Sequence, residues 1–442
     1  MSRRPRHDVV IRARWIVPLH GSPLEGGWVR IRRGRIVDVG AGPPPVRGDD
    51  ASMIDAADAI VIPGLVNAHT HLEFSGVDTP LDAAGGLPGW IERVIALRRG
   101  QATGIAGAYR VAAAIRRGLD ESAGHGVTAV GEISTGVPVG GYPSAGPRLR
   151  IFREALGLSA ESAASAGAKA IRDVRLLLAA GASAGVSAHA PYSVAAPLAK
   201  SLIDAARRRS VPLAMHVAES EAEAELLRSG TGPFRELFER IGVWPPGGPA
   251  LLPAAEWISR LARGPRAIVV HGTHLGRDHD ALARLARHRD RLCVAVCPRT
   301  TLALSNTLPP VGLFREAGVR VAIGTDSRAS NPDLSVLAEC RTLVAAGVVS
   351  PEEALRMVTV DAAWALGFER SCGMIAPGRP ADLAVLVPTN AHTDPYDAIL
   401  DPATRITAAL RAGRLIAGSL EGMACESRPA VRPRAHHAGR GV

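Results

Sequence analysis

Aromatic side chains are scarce in this chain: Phe, Trp and Tyr together make up 4% of 442 residues. That is too few for a platform on which nucleic-acid bases stack. Lysine is almost missing as well. Of the 52 cationic side chains only Lys169 and Lys200 are lysines, and the arginines are spread over many helical stretches rather than gathered into one basic face. The net charge of +10 therefore speaks for solubility and nonspecific attraction, not for a nucleic-acid partner. No apolar run approaches the roughly 20 residues that span a bilayer. The basic N-terminus, residues 1–7, lacks the apolar core of a secretory signal. The five cysteines, at 293, 297, 340, 372 and 425, form no Cys-x-x-Cys pair, as expected of reduced thiols in a cytoplasmic protein.

What the chain does have is alternation. Residues 8–15, 27–32 and 35–40 read as short strands between Gly- and Pro-rich turns, and residues 381–387, 407–410 and 414–417 answer them near the other end. Between these flanks, strand-like runs at 61–67, 127–132, 149–156, 185–190, 213–218, 267–271, 292–297 and 319–326 alternate with Ala-, Leu- and Arg-rich helical stretches. Residues 195–209 are one such helix, and 351–366 another, opened by a capping box of Ser350 and Glu353 with Pro351 at its first position. Eight alternations over about 265 residues suit a (β/α)8 TIM barrel. The expected α/β architecture is thus a barrel at 61–370 and a small composite β-sandwich built from both termini, 1–60 and 371–425. A disordered basic tail at 426–442 follows. An insertion at 231–265, rich in Gly, Pro and Trp, should decorate the rim after the fifth strand. A doubly wound sheet competes, but no Gly-rich fingerprint follows an early strand.

A barrel carries its chemistry at the C-terminal ends of its strands. His69 and His71 end the first run, Glu132 the second, His189 the fourth, His216 the fifth, His271 the sixth and Asp326 the eighth. Side chains at i and i+2 of a strand share a face, so His69 and His71 can aim at one point. With His216 and Asp326 from two other strands they make a donor set for a divalent transition metal. Glu219, three residues after His216, is a nearby acid.

The motifs Pro63-Gly64-Leu65-Val66-Asn67-Ala68-His69-Thr70-His71, Met215-His216-Val217-Ala218-Glu219, Val270-His271-Gly272-Thr273-His274 and Gly324-Thr325-Asp326-Ser327, with Gly378-Arg379-Pro380-Ala381-Asp382 near the end, resemble those of the amidohydrolase superfamily. The resemblance runs from about residue 8 to 420. It points to the branch of metal-dependent deaminases that includes cytosine, guanine and S-adenosylhomocysteine deaminases and chlorohydrolases. It implies that His69, His71, His216 and Asp326 hold one Zn²⁺, with Fe²⁺ as the alternative. His271 would bond the attacking water, Asp326 would help take its proton, and Glu219 would carry a proton to a ring nitrogen and then to the leaving amine. Binuclear relatives use a Lys or Glu at the end of strand four. Here that stretch reads Gly185-Val186-Ser187-Ala188-His189-Ala190-Pro191-Tyr192, so one metal is expected, with His189 touching substrate.

Loops around these ends bear on the substrate, a small molecule. Glu73 and Ser75 lie just past the first ligands, Phe74 and Trp90 are placed to roof a pocket, and Arg299 is placed to meet a carboxylate. His71-Leu72-Glu73-Phe74-Ser75, Leu87-Pro88-Gly89-Trp90-Ile91 and Cys297-Pro298-Arg299 are similar to the subgroup containing aminofutalosine deaminases, which act on 6-amino-6-deoxyfutalosine in menaquinone biosynthesis. Thr300-Thr301 departs from the Ser-Asn of many such relatives. Hydrolysis of a cyclic amide or a C–Cl bond at the same centre is the alternative. A non-catalytic scaffold is disfavoured because all four ligands are present, and the Pro-Cys-x-x-Cys of polynucleotide deaminases is missing. Self-association is left open, since homo-oligomers are common among soluble enzymes.

Overall fold

The computed structural model describes residues 8–44, 51–100, 104–420 and 424–425; the expected tail at 426–442 lies outside them. Two sheets organise the chain. The first has nine strands drawn from both ends. Asp8–Ile16 pairs parallel with Ala51–Pro63, which pairs antiparallel with Leu383–Val387, and that strand leads on to Arg405–Arg411 and Arg414–Gly418. Alternate side chains of these strands, among them Ile11, Val29, Val61, Leu383 and Val385, are fully buried in one cluster. The termini thus meet in one composite β unit, as the alternating flanks demand.

The second sheet is the barrel, eight parallel strands in sequence order. We number them β1 (Leu65–Thr70), β2 (Val127–Ser134), β3 (Arg148–Ala155), β4 (Ser183–Ala188), β5 (Leu213–Val217), β6 (Ala267–His271), β7 (Leu292–Val296) and β8 (Arg320–Ile323). Strand residues divide between two cores. Leu65, Val130, Met215, Val269 and Ile323 cluster with the surrounding helices, whereas Ala129, Ala214, Ile268, Ala295 and Ala322 meet one another across the barrel. Near-continuous apolar runs are the mark of strands buried on both faces.

Two expectations are corrected. The run at 61–67 is not one strand. Val61–Pro63 ends the long terminal-sheet strand, the chain turns at Gly64, and β1 starts at Leu65. A Cβ on Gly64 would lie 2.2 Å from Thr128 Oγ1, so only glycine lets the chain pass from one sheet to the other there. The helix expected at 351–366 is likewise broken, into Pro351–Met357 and Val360–Ala365. At the break the Val358 carbonyl accepts a hydrogen bond from Val66 N at 2.7 Å, serving an edge of β1 that β8 does not reach. The capping box of Ser350 and Glu353 is present. The helix expected at 195–209 is Ala196–Arg209, closed by Ser210 in the left-handed region with three arginines in its last turn, where they favour the helix dipole.

The barrel closes by a narrow seam. Between β1 and β8 there is one bridge, Thr70 with Asp326. The His69 carbonyl accepts from the backbone N–H groups of Thr325 and Asp326, both at 3.1 Å, and Thr70 Oγ1 donates to the Asp326 carbonyl at 2.5 Å.

Candidate active site

The seam brings Asp326 over β1. Its Oδ1 lies 3.7 Å from His69 Nε2 and 3.6 Å from His71 Nε2, while Oδ2 accepts a 2.7 Å hydrogen bond from Ser330 Oγ. His216 enters from β5 with its ring 4.9 Å from that of His69 and 5.5 Å from that of His71. One nitrogen from each of these three imidazoles falls within 4.8 Å of the others. His216 Nδ1 bonds the His189 carbonyl at 2.8 Å, which leaves its Nε2 lone pair free. His69 Nε2 and His71 Nδ1 are buried without hydrogen-bond partners. Burial pushes the His69 imidazolium down to about 3 and holds His71 and His216 well below the usual histidine range. Three neutral imidazoles and a carboxylate converging on one point, with an orphaned nitrogen, fit a divalent transition metal.

Next to this cluster stand Glu219 and His271, with Oε1 and Nε2 3.3 Å apart. Burial, and then the nearby Asp326, raises the Glu219 carboxyl well above its ordinary range. Burial also keeps His271 neutral. Glu223 accepts from the backbone N–H groups of Ala218 and Glu219 at 2.8 and 2.9 Å and fixes the turn that presents Glu219. Ala218, His271 and Asp326 all have positive φ, 54°, 66° and 55°. Non-glycine residues in that region cost about 1–3 kcal/mol each and cluster where a site demands an unusual backbone.

The site opens into a cavity of about 630 Å³, a size typical of small-molecule pockets. Trp90 and His189 line it. Trp90 Nε1 donates to the Ala329 carbonyl at 3.0 Å, on the loop after Asp326. The insertion after β5 supplies an apolar rim, Phe238, Val243 and Trp244.

Two expected substrate contacts are elsewhere. Arg299 forms a bidentate pair with Asp333 at 2.7 and 3.1 Å and does not line the cavity, because a partner 34 residues on already satisfies its guanidinium. Glu73 also stays outside. It accepts from Arg98 at 2.5 Å and from Thr135 at 2.8 Å. Arg98, which the sequence did not single out, is the cation that lines the cavity among the described residues. Glu132 accepts from Leu72 N at 2.8 Å and anchors the segment after His71. Glu154, at the end of β3, was missed too. It lines the cavity, and burial raises its carboxyl to about 8. The rule that strand ends carry chemistry, applied to the third strand, would have found it.

The family model described as the Amidohydrolase family matches residues 60–418. A 5-methylthioadenosine/S-adenosylhomocysteine deaminase from Halobacterium salinarum is 31% identical over 82% of this chain and 80% of its own length. Aminofutalosine deaminase from Helicobacter pylori is a structural neighbour, with a TM-score of 0.78 and 25% identity over 93% of this chain and 100% of that one. An adenosine deaminase from Xanthomonas campestris with bound zinc shares the fold at a TM-score of 0.68 and 24% identity, over 92% of each chain.

Proposed function

Since this chain belongs to the amidohydrolase family and is a hydrolase of carbon–nitrogen bonds, we propose that it removes the 6-amino group of an adenine nucleoside as ammonia. The observation that carries this reading is the buried Glu219 carboxyl set 3.3 Å from His271 beside three converging imidazoles. Its relatives named for adenine-nucleoside deamination support the same class.

His69, His71, His216 and Asp326 are the proposed ligands of one divalent cation, Zn²⁺ by donor chemistry, with Fe²⁺ as the alternative. Such an ion supplies Lewis acidity that brings the ionisation of water down to about pH 7. Glu219 gives its proton to N1 of the purine, which makes C6 electrophilic. His271 Nε2 and Asp326 orient the water that adds there and accept from it. Glu219, recharged with a proton from that water, protonates the amine as the C6–N bond breaks. His189 and Trp90 hold the substrate.

Within this class we favour 6-amino-6-deoxyfutalosine, a nucleoside with a carboxylated aromatic arm and an intermediate of menaquinone biosynthesis. Arg98, held by Glu73 through one guanidinium nitrogen, lines the cavity as the cation for the acid, and Phe238, Val243 and Trp244 offer an apolar bed for the arm. An ammonia-release screen of the metal-loaded enzyme tests the reading, using adenosine, 5-methylthioadenosine, S-adenosylhomocysteine and the benzoate-bearing nucleoside, with guanine and cytosine as controls. Ammonia from an adenine nucleoside is expected. Acid or chloride from a cyclic amide or a chlorinated ring, with no ammonia from any aminated ring, would refute it.

A further inference from the structure

Asp326 faces the imidazoles with one oxygen. Its Oδ1 lies 3.7 and 3.6 Å from the Nε2 atoms of His69 and His71, whereas Oδ2 is taken by Ser330 Oγ at 2.7 Å. Behind Ser330 stands Thr300, in the helix Pro298–Ser305 after β7, with its Oγ1 3.0 Å from Ser330 Oγ. All three residues are buried, so bulk water does not compete for these bonds. The direction of the chain follows from counting protons. A ligating carboxylate is ionised and only accepts, and Ser330 has a single hydroxyl hydrogen. The contact to Oδ2 is shorter than the alternative to the Ser327 carbonyl at 3.2 Å, and a charge-assisted bond is the stronger of the two. Thr300 Oγ1 then donates to Ser330 Oγ. Ser327 Oγ, 3.5 Å from Ser330 Oγ, is too distant to take its place.

A carboxylate meets a cation through one oxygen or through two. Turning Asp326 to bring Oδ2 onto an ion would exchange its charge-assisted bond for the longer one from Ser330 to the Ser327 carbonyl. We propose that Ser330 and Thr300 are positioning residues that hold Asp326 to one-oxygen contact with the metal, Thr300 acting through Ser330. Neither residue lines the cavity, so neither is placed to touch substrate. Oδ2 keeps a further lone pair for the water that adds to the ring. The inference rests on the ligand set proposed above. It adds that the way the carboxylate binds, and with it the room left for the reacting water, is fixed from a helix that supplies no ligand.

The test uses the full-length protein loaded with Co²⁺, whose visible absorption weakens as its coordination number rises, and with Zn²⁺ titrated against a chelating dye. Wild type should bind Co²⁺ and show the intense band of a four- or five-coordinate ion. In Ser330→Ala the band should fall as Oδ2 swings onto the ion, and Zn²⁺ affinity should drop about tenfold or more, the usual size of a lost outer-shell partner. Thr300→Val should weaken the band less and cost about threefold in affinity, because Ser330 keeps its own bond to Asp326. In the Ser330→Ala background the same change should add almost nothing, since members of one chain couple. Thr300→Ser should restore band and affinity. Should Ser330→Ala fail to fold, Thr300→Val must lower the band by itself and Thr300→Ser must recover it. An unchanged band in Ser330→Ala, or an equal loss from Thr300→Val in both backgrounds, overturns the proposal. Absence of bound Co²⁺ and Zn²⁺ in wild type overturns the ligand set together with it. Both readouts are taken without substrate. Ammonia release with an unchanged band in Ser330→Ala therefore sinks this inference alone, and the expected band changes in a protein that releases no ammonia sink the deaminase reading alone.

Discussion

At the residue scale, Glu219 is the proposed proton carrier and lies outside the proposed ligand set. Glu219→Gln fills the same space and should retain metal by elemental analysis while kcat falls 100-fold or more, about the size of a lost general acid and base. Undiminished turnover in the metal-replete variant would remove its role as proton carrier. A second residue links the site to pH. Glu339 is fully buried and accepts from Arg299 N and Asn331 Nδ2, and burial raises its carboxyl to about 8. Its folded-state value lies above the ordinary 4.5, so the folded protein holds a proton that the unfolded chain has lost. Its contribution to stability is complete below about pH 4.5 and fades as pH rises through 8. Urea midpoints of Glu339→Gln, measured from pH 5 to 8, should therefore decline less steeply than those of wild type.

The residues legible in the sequence were those with a periodic or positional mark. His69 and His71 share a strand face, and His216, His271 and Asp326 end apolar runs. Arg98 carried no such mark, because it sits among other arginines in Gly86–Gly100 and is distinguished only by the hold of Glu73 from another segment. Arg299 misled for the mirror reason. Its local setting invited a ligand, while Asp333, out of reach of any local pattern, had already paired with it.

At the scale of elements, alternation fixed the order of strands and helices, but junctions depended on contacts that periodicity does not encode. Gly64 divides what reads as one apolar run, and Val358 breaks what reads as one helix to serve the edge of β1. Gly324 is another such junction, at the end of β8. A Cβ there would lie 2.6 Å from the His69 carbonyl oxygen and 2.8 Å from His69 Cβ. Gly324→Ala must push β1 and β8 apart. It should cost about 1–3 kcal/mol in chemical denaturation, the usual size of an overpacked core, and weaken metal binding tenfold or more in competition with a chelating dye. Unchanged metal affinity would show that the ligands do not depend on this close approach.

For the whole molecule, the two sheets have different relations to the proposed ion. The nine-stranded sheet from the termini has its own buried cluster and touches no ligand. The barrel is fastened between its first and last strands chiefly around His69, Thr70, Thr325 and Asp326. Removing the ion with a chelator should lower Tm, since an ion present at 1,000 times its dissociation constant adds about 4 kcal/mol. The loss should concentrate in the barrel. A chelated protein whose calorimetric transition does not move would contradict a resident metal.

The seam has one further consequence. Because the backbone that carries His69 and Asp326 is also the clasp of the cylinder, release of the proposed ion should loosen the wall at the same place. The amide hydrogens of Thr325 and Asp326, both given to the His69 carbonyl, then serve as resident reporters. They should trade for deuterium together, and sooner, once the pocket is stripped.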